Sequence, residues 1–235
     1  MADLIAIASS ILSDAARTME ASAQNVANIT TAGYKRRTEF SELMNTPSAD
    51  AELAFARHTS IDFTSGKVVE TGNPYDLALS GDGFFVVRTP ADALVYTRDG
   101  QFSRDAQGRL VDAKGGALQA DGRDLVLTGR KVEILKDGVV LEDGAPTAHL
   151  DVVRFVDRAA ATPTDGGAFS APPAAVEPLD RATVQQGAIE MSNVTTAGEM
   201  VSMMGALRRA ETGQRLAIVY DDLMGRAITS FGQTQ

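Results

Sequence analysis

The side chains that could carry out chemistry are few. His58 and His149 are the only two histidines in 235 residues, and cysteine is absent. Neither histidine has a partner cluster of metal-ligand spacing, and both read as ordinary surface or pocket residues. Without cysteine there is no disulfide, no thiolate nucleophile and no cysteine-ligated zinc, and either redox compartment is allowed. Carboxylates recur at Asp82, Asp99, Asp105, Asp112, Asp121 and Asp124. Two of them could serve a glycosidase, because the separation of a carboxylate pair is invisible in sequence. Nearly all, however, abut a turn glycine or cap a hairpin, where aspartate bonds nearby backbone and tolerates left-handed geometry. None follows calcium-loop spacing. Leu79-Ser80-Gly81-Asp82-Gly83 is rich in glycine but lacks the lysine of a phosphate loop. Catalysis has no positive support, and no catalytic residue, cofactor, metal or small-molecule substrate is expected.

Charge narrows the partners. Lys35-Arg36-Arg37 is the one short basic cluster singled out, and three charges are too few for a nucleic-acid interface. A net charge of −9 argues further against a surface built to neutralise phosphates. No run of 18 or more apolar residues predicts a membrane span. Leu4–Leu12 lacks a basic flank and is followed by Ser13, Asp14 and Arg17, so no cleaved signal peptide is expected.

Two elements at the chain ends stand out. Ile5, Ala8, Leu12, Ala15, Met19, Ser22, Val26 and Ile29 step alternately by three and four residues, with no glycine before Gly33. That spacing predicts an amphipathic helix of roughly 37 Å at ~1.5 Å per residue. Its small seam residues cannot bury much within one domain, so the helix needs partner helices. It is expected to stop near Thr30–Gly33, with Gly33 just past the end in a left-handed conformation. Asn25 and Asn28, one turn apart, serve either as caps of frayed backbone or as a specifying polar contact between packed helices. A second helix is expected from about Thr196 to Ser230, with a stripe of Met200, Met203, Leu207, Ala210, Gln214, Ala217, Asp221, Met224 and Ile228. Gly205, Gly213 and Gly225 lie inside it and together remove about 3 kcal/mol of intrinsic helix stability. Both helices should form firmly only when packed.

All eight prolines lie between Pro47 and Pro178, so the middle is turn-rich and expected to be β. Short strands are predicted at Phe84–Val87, Leu94–Thr97, Arg109–Val111, Leu125–Leu127, Val132–Leu135, Val139–Leu141 and His149–Val156. Pairs such as Asp82-Gly83, Asp99-Gly100 and Asp137-Gly138 supply tight turns between them. The expected fold is mainly β with long terminal α-helices that pair as a coiled coil, around a central antiparallel barrel- or sandwich-like domain. Its parts are a helix at 1–33, an extended connecting segment at 34–72, the β domain at 73–157, an extended linker at 158–195 and a helix at 196–235.

Three stretches carry a family resemblance. Ser22–Lys35, with Asn25-Val26-Ala27-Asn28 ahead of Thr31-Ala32-Gly33-Tyr34-Lys35, resembles the N-terminal signature of bacterial flagellar rod and hook proteins. Gly72–Val87, followed by Tyr96-Thr97-Arg98-Asp99-Gly100-Gln101-Phe102, resembles the core motif of the rod proteins. Gln186–Val194, followed by Glu199-Met200-Val201, resembles their C-terminal signature. Length and a single β region are most similar to the proximal-rod member, with the distal-rod member next and the longer hook protein less so.

The resemblance implies a structural subunit of the basal-body rod that passes through the flagellar type III export machinery without a cleaved signal. In the periplasm it assembles helically with copies of itself and other rod proteins into the shaft that carries motor torque to the hook. In relatives the terminal helices form an inner coiled-coil layer and the β region an outer one. Leu12, Met19, Asn25, Val26, Asn28, Gly33, Met200, Leu207 and Met224 are the expected assembly and helix-packing residues. Two departures from the pattern are Tyr34, where phenylalanine is usual, and Ala210, where relatives tend to carry an aromatic. The rival readings are a carboxylate-dependent hydrolase of cell-wall glycan and a monomeric chaperone or scaffold that binds helices.

Overall fold

A computed structural model describes residues 2–43, 55–179 and 182–232. The chain divides into two compact units, one drawn from Met1–Ala27, Arg37–Asp62 and Thr195–Gln235, the other from Asn28–Arg36 and Phe63–Val194.

The first unit holds helix α1 (Ala2–Ala27), strands β1 (Arg37–Leu43) and β2 (Phe55–Ile61), and helix α2 (Thr196–Gly232). The heptad positions Ala8, Ala15 and Ser22 are buried along α1, and Glu199, Ala206 and Gly213 along α2. Small residues seven apart let two helix backbones approach closely. A Cβ on Gly213 would lie 3.1 Å from Leu12 Cγ and 3.2 Å from Ile11 Cγ2. Arg209 Nη2 donates to Thr18 Oγ1 at 3.4 Å. Contact therefore moves up α1 as it moves down α2, and the helices run antiparallel. The segment read as an irregular connector at 34–72 contains the β1–β2 ladder, which pairs in unbroken antiparallel register from Arg37↔Ile61 to Leu43↔Phe55. The side chains of Phe55 and His58 lie outside the described residues.

Helix α1 ends at Ala27, earlier than the expected 30–33. The amide of Thr31 donates to the carbonyl of Asn28 at 3.1 Å, and Thr31 Oγ1 to Asn28 Oδ1 at 3.2 Å. This tight local turn takes the place of another helical turn.

The second unit is antiparallel throughout. It contains β3 (Val68–Glu70), β4 (Leu77–Ser80), β5 (Phe84–Arg88), β6 (Leu94–Thr97), β7 (Ser103–Arg104), β8 (Leu110–Val111), β9 (Ala117–Ala120) and β10 (Arg123–Asp124). It continues with β11 (Val132–Ile134), β12 (Val139–Glu142), β13 (Ala145–His149), β14 (Val152–Phe155) and β15 (Thr162–Pro163). The last strands are β16 (Ala168–Ser170), β17 (Val176–Pro178), β18 (Thr183–Gln186) and β19 (Ala188–Glu190). A ten-stranded sheet follows the order β15-β16-β6-β5-β9-β8-β7, with β10, β14 and β17 attached beside it. A three-stranded sheet β11-β12-β13 and the two-stranded pairs β18-β4 and β19-β3 complete the unit. No sheet among the described residues closes into a barrel. The stretch 158–195, read as a linker, is folded chain. Its prolines and alanines break it into 3-10 turns and the short strands β15 to β19; β15 pairs with β16, and β16 to β19 pair with earlier strands.

The apolar core gathers Leu77, Phe85, Val87, Phe102, Leu110, Leu118, Leu127, Val140, Leu150 and Val184. Alternation along the short strands puts every second side chain into this layer, as with Leu77 and Leu79 on β4 and Phe85 and Val87 on β5. Asp99 follows β6 and is largely enclosed. Burial first, then the neighbouring carboxylates of Asp112 and Asp76, push its carboxyl from 3.8 up to about 6, although the Gln101 amide donates to it at 3.0 Å. A carboxyl raised on folding contributes stability that is fully present below 3.8 and is lost as pH rises through about 6. Replacing Asp99 with Asn, which keeps the acceptor oxygen, should therefore raise neutral-pH stability by about 2 kcal/mol. The gain should vanish below pH 4, and urea midpoints measured from pH 4 to 7 would show it. Parallel curves for the two proteins would refute the assignment.

Candidate functional site

Three of the carbonyl and charge-bearing stretches meet inside the β unit. The turn after Asn28 leads to Gly33 at φ +67, whose amide donates to the Glu190 carbonyl at 2.7 Å. A Cβ there would stand 2.2 Å from Arg98 C and from Asp99 N. Glycine is required twice at this point, by the left-handed backbone and by the strand pressed against it. Lys35 follows two residues later. It is 1% exposed, so the basic cluster is divided: Lys35 points inward, while Arg36 and Arg37 are half-buried.

Lys35 Nζ donates to Glu190 Oε1 at 2.7 Å and to the Thr64 carbonyl at 2.8 Å. Glu190 itself, on β19, is 0% exposed. Its Oε1 also accepts the Gly66 amide at 2.7 Å, and its Oε2 accepts Arg98 Nη1 at 3.0 Å. Arg98, 2% exposed beyond β6, also donates through Nη1 to the carbonyl of Leu79, at 3.1 Å, and through Nη2 to that of Gly81. Its guanidinium also lies 5.0 Å from the centre of the Phe84 ring. Burial pulls the Arg98 pKa down, and the adjacent Glu190 carboxylate opposes it; an arginine in such a pairing remains protonated. Two cations thus share one carboxylate out of reach of water. Removing one partner of a buried pair typically costs about 3–5 kcal/mol, because the other charge is left uncompensated.

Asn193 extends the cluster. Its Oδ1 accepts the Arg36 amide at 2.7 Å, and its Nδ2 donates to the Thr64 carbonyl at 3.1 Å. A different asparagine clamps the first unit: Asn25 Nδ2 donates to the Arg37 carbonyl at 2.8 Å, and its Oδ1 accepts the Arg37 amide at 2.9 Å. Neither expected role of Asn25 describes this. It mimics a strand partner for the start of β1. Asn28 closes the turn after α1.

The remaining expected residues fall into two groups. Leu12, Met19 and Val26 are half-buried on α1, and Leu12 faces Gly213. Met224 is half-buried on α2. Met200 and Leu207 are 56% and 48% exposed. The buried row of α2 is offset by one residue from the expected stripe, at Glu199, Ala206 and Gly213, with Met203 and Ala210 partly covered beside it. The sequence places Lys35 in a basic cluster and Arg98 and Glu190 in family signatures, and it does not reveal that the three meet. The available signal was a charged residue placed among apolar ones, as in Ala188-Ile189-Glu190-Met191.

The aspartates act in turns. Asp105 Oδ1 accepts the amides of Gln107 and Arg109 at 2.9 and 2.8 Å, and Asp112 Oδ1 those of Lys114 and Gly116 at 2.8 and 2.7 Å. Arg88 donates to Asp124 through Nε at 3.0 Å and Nη2 at 2.7 Å. Among the described residues no group of three or more His, Asp or Glu is arranged to hold a metal ion, and no helix is long and apolar enough to cross a membrane.

Paired terminal helices and a β unit locked by charges from distant parts of the chain define a structural protein. Comparison with known proteins makes this specific. Residues 78–144 match the flagellar hook protein FlgE/F/G D1 domain, and residues 185–230 match the flagellar basal body rod FlgEFG protein C-terminal domain. The flagellar basal-body rod protein FlgF of Mesorhizobium japonicum is 30% identical over 219 residues, covering 90% of each chain. That of Caulobacter vibrioides is 28% identical over 228 residues, covering 92% of this chain and 93% of the relative. The rod protein FlgG of Agrobacterium fabrum is 26% identical over 251 residues, covering 93% and 95%. The chain belongs to the flagellar basal-body rod protein family and is FlgF-like or FlgG-like. None of these relatives supports the glycan-hydrolase alternative.

Gly33 offers a direct check of the site. Gly33→Ala should cost at least about 2 kcal/mol, since left-handed backbone alone costs an L-residue about 1–2 kcal/mol. Calorimetry of the full chain would register this, and an unchanged melting temperature would show that the close approach to Arg98 is not a constraint.

Proposed function

We propose that this chain is a structural subunit of the bacterial flagellar basal-body rod, assembling helically through α1 and α2 with copies of itself and other rod proteins. It acts by subunit contact, without turnover. The observation that carries the reading is the second apolar face of α2. Met200, Met204, Leu207 and Ile218 are all exposed. At ~100° per residue they form a second apolar strip roughly 100–160° round the helix from Ala206. Apolar side chains that far from the strip facing α1 call for a further partner. Helices of neighbouring subunits are the occupants that family membership supports.

In this reading α1 and α2 pair as a coiled coil whose small seam residues allow close packing. Leu12, Met19, Val26 and Met224 serve the seam, while Met200 and Leu207 serve contacts between subunits. Asn25, Asn28 and Gly33 shape the turn that follows α1. The terminal segments 1–33 and 196–235 are the assembling parts, and the β domain centred on 73–157 is a separate body. The shaft lies in the periplasm and transmits motor torque to the hook. The chain reaches it through the flagellar type III export machinery. An acidic net charge of −9 supports a protein that binds no nucleic acid. A proximal position is favoured by the higher identity to the FlgF relatives, 28% and 30%, than to the FlgG relative, 26%.

Two substitutions test the helix faces. Leu207→Asp, on the exposed side, should leave helix content unchanged and stability within about 0.5 kcal/mol of the parent yet abolish rod incorporation and swimming. Ala15→Glu, on the inner seam, should also block incorporation while the β unit stays folded. Normal rods on electron micrographs of basal bodies from the Leu207→Asp strain would sink the proposal.

A further inference from the structure

The order in which the β unit closes follows from where its charges sit along the chain. Lys35 and Glu190 are separated by 155 residues, Gly66 and Glu190 by 124, and Arg98 and Glu190 by 92. Among the described residues, β4 has β18 as its ladder partner and β3 has β19. Two of the earliest strands of the unit therefore wait for two of its last. The carboxylate between the early cations arrives with β19, the final strand. Before then, compact chain would enclose an ammonium and a guanidinium without the carboxylate that bonds both, a state disfavoured by the desolvation of each ion. Burial already depresses the Arg98 pKa with Glu190 in place. The same carboxylate accepts the Gly66 amide, and the Glu190 carbonyl accepts the Gly33 amide. One residue thus completes ion pairs and backbone bonds to three earlier segments.

We propose that Glu190 is a folding latch: the β unit becomes stable only when the last strand delivers this carboxylate to Lys35 and Arg98, so a partly emerged chain stays unfolded. The use of the latch rests on the reading of the chain as an exported rod subunit. A chain threaded N-terminus first is then kept from folding until residue 190 is available, whichever side of the membrane the early residues have reached. The physical claim concerns folding alone. Closing such long loops has an entropic cost that grows slowly with length, and the latch places that cost ahead of any stable intermediate.

Pulse-labelled amide exchange during refolding of the full chain from urea tests the latch. The Leu110, Leu125 and Leu127 amides report the middle of the unit, through bonds to the carbonyls of Leu125, Leu118 and Gly108. The Gly33 and Met191 amides report the junction, through bonds to the carbonyls of Glu190 and Lys67. All five should gain protection in one phase. Protection of the middle tenfold or more ahead of the junction would overturn the proposal. Glu190→Gln should slow folding at least tenfold, whereas an unchanged folding rate with faster unfolding would mean that the carboxylate engages after the barrier and would equally overturn it. Should Glu190→Gln fail to fold, the wild-type labelling still decides. Neither measurement involves rod assembly, so this proposal and the rod reading stand or fall separately.

Discussion

The β unit is organised by one carboxylate held between two cations where water does not reach. Apolar packing alone would tolerate many arrangements of short strands with little side-chain variety. The Lys35–Glu190–Arg98 cluster is far less forgiving, because each of its members is costly to bury without the others. The geometry also explains the residue types. Arg98 needs a planar fork to reach Glu190 and two strand-end carbonyls together, which the point charge of a lysine cannot do. Lys35, a point charge, reaches the carboxylate and the Thr64 carbonyl. The carbonyls of Thr64, Leu79 and Gly81 accept further donors of the two cations.

The helical unit works by a different rule. Ala8, Ala15 and Ser22 on α1, with Ala206 and Gly213 on α2, bury little area each but permit close contact. Gly213 illustrates the balance: glycine weakens an isolated helix by ~1 kcal/mol, yet any larger residue would press on Leu12 and Ile11. Gly205 and Gly225 have no such neighbour, and a Cβ at either would meet nothing within 4 Å. Nothing among the described residues explains those two.

Legibility of the fold in the sequence varied with the range of the interaction. Elements set by local pattern were visible: the 3-and-4 spacing marked both helices, and Asp-Gly pairs marked the turns around Phe84–Val87 and Leu94–Thr97. Strand partners were not. Leu77–Ser80 and Val68–Glu70 pair with strands more than a hundred residues later, and residues 183–190 sit beyond a proline-rich stretch that reads as a linker. The β1–β2 ladder was hidden because Thr38, Glu39, Ser41 and Glu42 give no strong apolar alternation. The ion cluster was the least visible feature. A lysine beside two arginines looks solvated unless its counter-charge is known, and that counter-charge lies 155 residues away. Family signatures flagged all three stretches without explaining them. The offset of the buried row on α2 had a similar cause. Met200 and Leu207 outweigh Ala206 and Gly213 in any hydrophobic pattern, although the small residues are the ones covered.

The two faces of α2 are answerable to different constraints. A change at Ala206 or Gly213 is tested within the chain that carries it, against α1. In the proposed assembly, a change at Met200, Leu207 or Ile218 is tested against the surface of a neighbouring molecule, which can change in turn. The inner row should therefore hold steady while the outer row drifts in step with its contacts. Covariation confined to one side of a single helix is how axial proteins sharing this fold could come to recognise different neighbours along one shaft.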